Sequence, residues 1–83
     1  MTFRVHVRVM PRAGLLDPQG QAVEQALHAL GFSGAADVRI GRSITFQLRG
    51  ASADDASAKA RQMCEKLLAN PVTEDFELRV EAA

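Results

Sequence analysis

Asp37-Val38-Arg39-Ile40-Gly41-Arg42-Ser43-Ile44-Thr45-Phe46-Gln47-Leu48-Arg49 is the stretch on which the fold turns. Its apolar residues Val38, Ile40, Ile44, Phe46 and Leu48 all carry even numbers, the period of a strand with one buried face. Gly41-Arg42-Ser43 interrupts the middle without changing that parity. A two-residue turn at Gly41-Arg42 would set Ile40 opposite Ser43 and move the apolar set to odd numbers. Two readings keep the parity: a hairpin closed by a three-residue Gly41-Arg42-Ser43 loop, or one strand that runs straight through. A continuous strand would span roughly 40 Å at ~3.3 Å per residue. A compact domain of this length has a radius of gyration of about 12 Å, so the far half of such a strand needs cover from another chain.

The flanking segments read more simply. Phe3-Arg4-Val5-His6-Val7-Arg8-Val9 is apolar at odd positions and basic or His at even ones, a strand with one buried face. Pro11 to Gly14 is a loop. Asp17-Pro18 starts a helix, with Asp as N-cap and Pro at the first helical position. Val23, Ala26, Leu27 and Leu30 then follow at helical spacing, and Gly31 ends the run, which predicts a helix over about 18–30. Ser52 with Asp55 resembles a capping box. Behind it, Ala56, Ala60, Met63, Cys64, Leu67 and Leu68 mark the inner face of a second helix, about 53–69, stopped by Asn70-Pro71. A last strand turns Phe76, Leu78 and Val80 inward and Glu77, Arg79 and Glu81 outward.

The order is β-α-β(β)-α-β, an α+β fold with a two-layer plan: one antiparallel sheet with two helices on one face, ferredoxin-like, in a single domain over residues 1–83. The continuous-strand reading has a natural completion. Two chains can exchange halves, each supplying β-α-β to the other's unit, so that the long middle strand is shared across an intertwined dimer.

Composition narrows function. With 83 residues, the chain buries only roughly 60–65% of its unfolded surface, and association is a common remedy. There is no Trp or Tyr and the net charge is zero, which argues against a nucleic-acid binder. No apolar run approaches the ~20 residues of a membrane span, and the N-terminus alternates charge and apolarity unlike a signal peptide, so a cytoplasmic location is expected.

Candidate chemistry is sparse. Cys64 is the only cysteine, and it lies on the apolar stripe near a helix C-terminus, where a core role is expected. His28 follows Glu24 by four residues, an exposed helical pair. His6 and His28 are too few for a metal site. Phosphate-binding glycine motifs and a nucleophile elbow are absent. No catalytic, cofactor-binding or metal residues are assigned. The basic face Arg4, His6 and Arg8 is expected to pair across strands with Glu77 and Glu81. Arg42 falls on the apolar face of a continuous strand, so its guanidinium must meet an acid, a carbonyl, a ligand or solvent. Arg39, Gly41 and Arg42 at the junction, with Leu15 and Leu16 in the first loop, are the candidate subunit-contact residues.

Three segments in register carry a resemblance: Leu15-Leu16-Asp17-Pro18-Gln19-Gly20, Asp37-Val38-Arg39-Ile40-Gly41-Arg42, and Met63 through Val72 followed by Glu74-Asp75-Phe76. Their order and spacing look like the PurS-type small subunit of phosphoribosylformylglycinamidine synthase, over essentially the whole chain. Arg42 stands where the family more often has Lys. The resemblance implies a non-catalytic subunit of an ATP-dependent ligase in the fourth step of purine biosynthesis. It bridges a glutaminase subunit and a large synthetase subunit, and supports ammonia transfer between them. It implies no cofactor on this chain, with ATP and magnesium on the large subunit, and a homodimer, or a tetramer when isolated. The competing reading from fold alone is a stand-alone ferredoxin-like module that binds a small regulatory molecule.

Overall fold

A computed structural model describes residues 1–83. Three strands, β1 (Thr2–Pro11), β2 (Arg42–Arg49) and β3 (Glu74–Ala82), and two helices, α1 (Pro18–Ala29) and α2 (Ala53–Met63), follow the expected order. A turn of π-helix, Cys64–Leu68, continues α2. The sheet is antiparallel with order β2-β1-β3. The central strand is the most apolar: Phe3, Val5, Val7 and Val9 are all buried. Its odd residues, together with Ala60, Cys64 and Ala69, form the core, flanked by Ile44, Phe46, Leu48, Leu68, Phe76, Leu78 and Val80.

Two of the three basic residues on the outer face of β1, His6 and Arg8, pair across the strands, and Arg4 forms no ion pair. His6 Nε2 lies 2.9 Å from Glu81 Oε1, and Arg8 Nη1 lies 3.9 Å from Glu77 Oε2. The His6 contact is diagonal, since the residue directly opposite is Arg79. Cross-strand and diagonal neighbours of opposite charge stabilise a pair of strands without needing burial.

Helix α2 covers the sheet with its small residues, Ala56 and Ala60, both fully buried. Its start is held twice. The Asp55 N–H donates to Ser52 Oγ at 3.1 Å, and Asp55 Oδ2 accepts from the Ala51 N–H at 2.9 Å. The carboxylate therefore reaches one residue further back than in an ordinary capping box. Lys59, one turn on, completes an ion pair with Asp55 at 3.1 Å.

The inner face expected for helix two is only partly realised. Ala56, Ala60 and Cys64 are buried, and Leu68 is half-buried. Met63 is exposed, and Leu67 is 83% exposed. A π turn advances by a smaller angle per residue than an α turn, so the last apolar residues fall off the stripe that a 3.6-residue period assigns them.

At Gly41 the chain does not double back. β2 pairs with β1 in one register from Thr2↔Arg49 to Val9↔Arg42, and Asp37–Gly41 lead into it without pairing onto β2. The hairpin alternative is not what forms. The regular strand is shorter than the stretch 37–49, because Asp37 turns through a left-handed conformation with φ 54° and β1 ends at Pro11.

Helix α1 stands apart. α2 packs against all three strands, whereas α1 makes no comparable contact with the sheet. The chain is 51 Å long with a radius of gyration of 16.3 Å, against about 12 Å for a compact domain of its size. The ferredoxin-like order is present, but within one chain only α2 lies over the sheet.

Candidate subunit interface

The displaced helix belongs to an arm built from α1 and the segment that returns from it. Asp17 caps α1, its Oδ1 accepting from the Gly20 N–H at 3.0 Å. Its other oxygen accepts from the Ile40 N–H at 3.1 Å, across the arm. Both backbone bonds, Gly20 first and Ile40 second, pull the Asp17 carboxyl below its ordinary range, and the charge of Arg39 adds to them. Two turns on, Glu24 Oε1 accepts from the Val38 N–H at 3.1 Å. His28 Nε2 donates to the Ala35 carbonyl at 2.6 Å. The expected Glu24–His28 helical pair therefore does not form. Each side chain instead satisfies backbone that α1 alone would leave open. Gly20 makes this closure possible: a Cβ there would run into the Asp17 carboxylate and the Val38 carbonyl.

The arm is apolar where a helix should be covered. Leu30 is 73% exposed and Phe32 61%, and Val23 is open as well. In the body, Ile44, Phe46, Met63, Leu67 and Leu68 line an open groove of about 730 Å³ beside α2 and over β2. That is the place a first helix takes in a two-helix, one-face plan, and α1 of the same chain does not reach it. Lys59 and Lys66 edge the groove.

The junction between arm and body is a network around Arg42. Its Nη1 donates to Glu74 Oε2 at 2.7 Å, and its Nη2 donates to Glu74 Oε1 at 3.0 Å and to the Leu68 carbonyl at 2.6 Å. Glu74 Oε1 also accepts from the Asn70 N–H at 2.7 Å. The bidentate Arg42 holds the Glu74 carboxyl below its ordinary range, and Glu74 in turn raises the Arg42 guanidinium. Of the partners that parity required of Arg42, the structure supplies an acid and a carbonyl. Nearby, Arg12 donates to Asp75 at 3.2 Å and to the Pro71 carbonyl at 2.7 Å, tying the end of β1 to the turn before β3.

The remaining contact candidates scatter around this junction. A Cβ on Gly41 would meet the Val9 carbonyl and the Met10 sulfur, so the glycine allows close approach of β1. Arg39 is half-buried with Nη2 lacking a partner, in a recess it shares with Asp17, Glu24 and Asp37. Acids, not other cations, dominate that recess. Leu15 and Leu16 are both exposed, Leu16 at 75%, so neither acts as a staple over α1. Cys64 is buried in the core, and burial pushes its thiol upward. No three His, Cys, Asp or Glu side chains gather as a metal site, and no helix is long and apolar enough to cross a membrane.

Sequence reasoning missed the groove and the arm's internal clasp. The Asp17 cap was legible, but its second bond, to a residue far along the chain, was not. The visible signal was an acid at the cap of α1 and a second two turns on, facing an extended return.

Known proteins agree with this architecture from end to end. The family described as PurS, phosphoribosylformylglycinamidine (FGAM) synthase, matches residues 4–82. The phosphoribosylformylglycinamidine synthase subunit PurS of Bacillus subtilis is 42% identical over 79 residues, covering 95% of this chain and 93% of that one. The corresponding subunit of Methanocaldococcus jannaschii is 33% identical and covers 95% of each chain. Among solved structures, Bacillus subtilis PurS superposes with a TM-score of 0.83 at 42% identity, over 95% of this chain and 98% of that one. A chain in the structure of PurLQS from Thermotoga maritima superposes with a TM-score of 0.88 at 28% identity, over 98% and 99%. With a full-length family match and relatives above 30% identity across nearly all of their own length, this chain belongs to the PurS family of phosphoribosylformylglycinamidine synthase.

Proposed function

We propose that this chain is the small, non-catalytic subunit of a phosphoribosylformylglycinamidine synthase. In this reading it bridges a glutaminase subunit and a large synthetase subunit in purine biosynthesis and supports ammonia transfer between them. The observation that carries it is the end-to-end match to a PurS chain in a structure of PurLQS. Ammonia released at one site is protonated or lost unless the two sites stay close, and a rigid bridge raises its effective concentration without new chemistry. ATP and magnesium act on the large subunit, and the assembly works in the cytoplasm.

The working form is a homodimer made by exchange. The arm of one copy lays its Val23, Leu27 and Leu30 side into the groove of the other, over Ile44, Phe46, Met63 and Leu67. Each copy then has two helices over its sheet, and the bare apolar surfaces cover each other. In this reading Arg39, Gly41 and Arg42 lie where the two copies cross, and Leu15 and Leu16 in the loop before α1 add apolar contact.

Reconstitution tests the function. Synthetase and glutaminase subunits are assayed with and without this chain, supplied with glutamine or with ammonium. The chain is expected to be required for glutamine-driven turnover and dispensable with ammonium. Unchanged glutamine-driven turnover in its absence refutes the bridge and makes a ligand-binding role the next to screen, by thermal stabilisation of the isolated protein.

A further inference from the structure

Three arginines meet where the chain enters the sheet at Gly41. Arg8 lies directly opposite Ser43 in the pairing of β1 with β2, so the two are neighbours on the outer face. Arg42 opens β2 one residue earlier, and Arg39 comes in from the arm. Together with Met10 and Gly41 these residues line an open recess of about 340 Å³, and no acid stands among its walls. The chain as a whole has ten basic and ten acidic side chains, so three cations around an acid-free recess are an uneven placement.

The donors of this recess are largely unspent. Arg39 Nη2 is the only buried side-chain nitrogen or oxygen of the chain without a hydrogen-bond partner. Asp17 feels the Arg39 charge, but its two oxygens are held by the Gly20 and Ile40 N–H groups. Arg8 comes no closer than 3.9 Å to Glu77, too far for a hydrogen bond, and both side chains are exposed. Arg42 makes three bonds, to the two Glu74 oxygens and the Leu68 carbonyl, and a guanidinium has five N–H donors, so two remain. Three like charges around one recess repel, and a bound anion offsets that cost.

We propose that this recess binds the phosphoryl group of a small phosphate monoester. A phosphoryl dianion presents three acceptor oxygens to donors that arrive from β1, β2 and the arm, whereas a carboxylate presents two. Guanidinium forks match phosphate oxygens in pairs, and the Ser43 hydroxyl adds a neutral donor. The volume lies within the range of small-ligand sites, so an organic body fits beside the phosphoryl group. The recess is formed within one copy, and the proposal stands apart from both the bridging role and the exchange.

Two-dimensional NMR titration of the full chain tests it, with inorganic phosphate, glycerol 3-phosphate and succinate as probes at an ionic strength held constant with chloride. Both phosphates should shift the amides of Gly41, Arg42 and Ser43 saturably and compete for one site, the ester binding more tightly. Succinate should bind at least tenfold more weakly than the ester. Arg39→Gln and Arg8→Gln should each weaken both phosphates roughly tenfold, because each removes charge-assisted contacts. Arg49→Gln, at the far end of β2, should bind like the parent protein, and circular dichroism checks that all three variants are folded. Affinity should rise with pH through about 6, where a phosphate monoester gains its second charge. The proposal fails if neither phosphate saturates, if either Arg39→Gln or Arg8→Gln leaves the affinity unchanged, or if Arg49→Gln weakens it equally. Succinate binding as tightly as the ester refutes the phosphoryl assignment and makes the recess a seat for an acidic protein segment. Inorganic phosphate binding with the ester excluded also overturns it, since the site then holds only the free ion.

Discussion

Arg42 closes three backbone and side-chain obligations with one guanidinium. It satisfies both oxygens of Glu74 and the Leu68 carbonyl at the end of the π turn, while Glu74 holds the Asn70 N–H that follows. The side chain of Glu74 is well covered and that of Arg42 is half exposed, so solvent weakens the pair without removing it. Glu74→Gln is expected to cost about 1 kcal/mol at neutral pH, measured by urea unfolding. The pH dependence has a definite sign. The folded protein holds the Glu74 carboxyl below its ordinary value of 4.5, so its contribution is present above that value and is lost as pH falls through the depressed one. The gap between the parent and Glu74→Gln should therefore shrink as the solution is acidified below 4.5. A gap that is constant from neutral to acid pH rejects this account. Parity in the sequence required a partner for Arg42 of this chemical type. It did not name Glu74, because the two residues meet only after α2 and the turn at Asn70-Pro71 have closed. Asp17 shows the same limit, since its cap to Gly20 is local and its bond to Ile40 spans the arm.

Elements were legible where one physical rule governs them. The alternation of β1 and β3 gave their faces correctly, because both strands bury a single side against α2. The caps at Asp17 and Ser52 fixed both helix starts. Helix two ends where expected, but the inner face of its last turn was misassigned for a physical reason. A 3.6-residue period keeps Leu67 on the inner stripe, and the π turn from Cys64 to Leu68 rotates it out to line the groove. Gly41 decided the middle of the chain. The preserved parity argued against a two-residue turn, and the structure carries the chain forward into β2 with the glycine pressed against the end of β1. Gly41→Ala places a methyl group into the Val9 carbonyl, which is backbone and cannot swing aside. The expected loss is about 1–3 kcal/mol of unfolding free energy. Stability equal to the parent protein shows that β1 and the junction can part freely.

The whole molecule is too long for its mass, and that is the property least visible in a linear pattern. Periodicity assigns an apolar face to α1 without saying whose core it fills. At 51 Å, with α1 off the sheet and a groove left open beside α2, a single copy leaves the apolar side of the arm and the groove both bare. Leu27→Asp on the arm, or Met63→Asp in the groove, should each break the proposed exchange from opposite sides. Light scattering is expected to show the mass falling from two copies to one for both variants. Two-copy mass in both rejects the exchange.

The clasp of Asp17 and Glu24 on Ile40 and Val38 ties α1 to its return segment, so the arm travels as one piece. In the proposed exchange, such an arm would let go of its neighbour along its full length rather than fray residue by residue, so two docked copies would trade partners slowly.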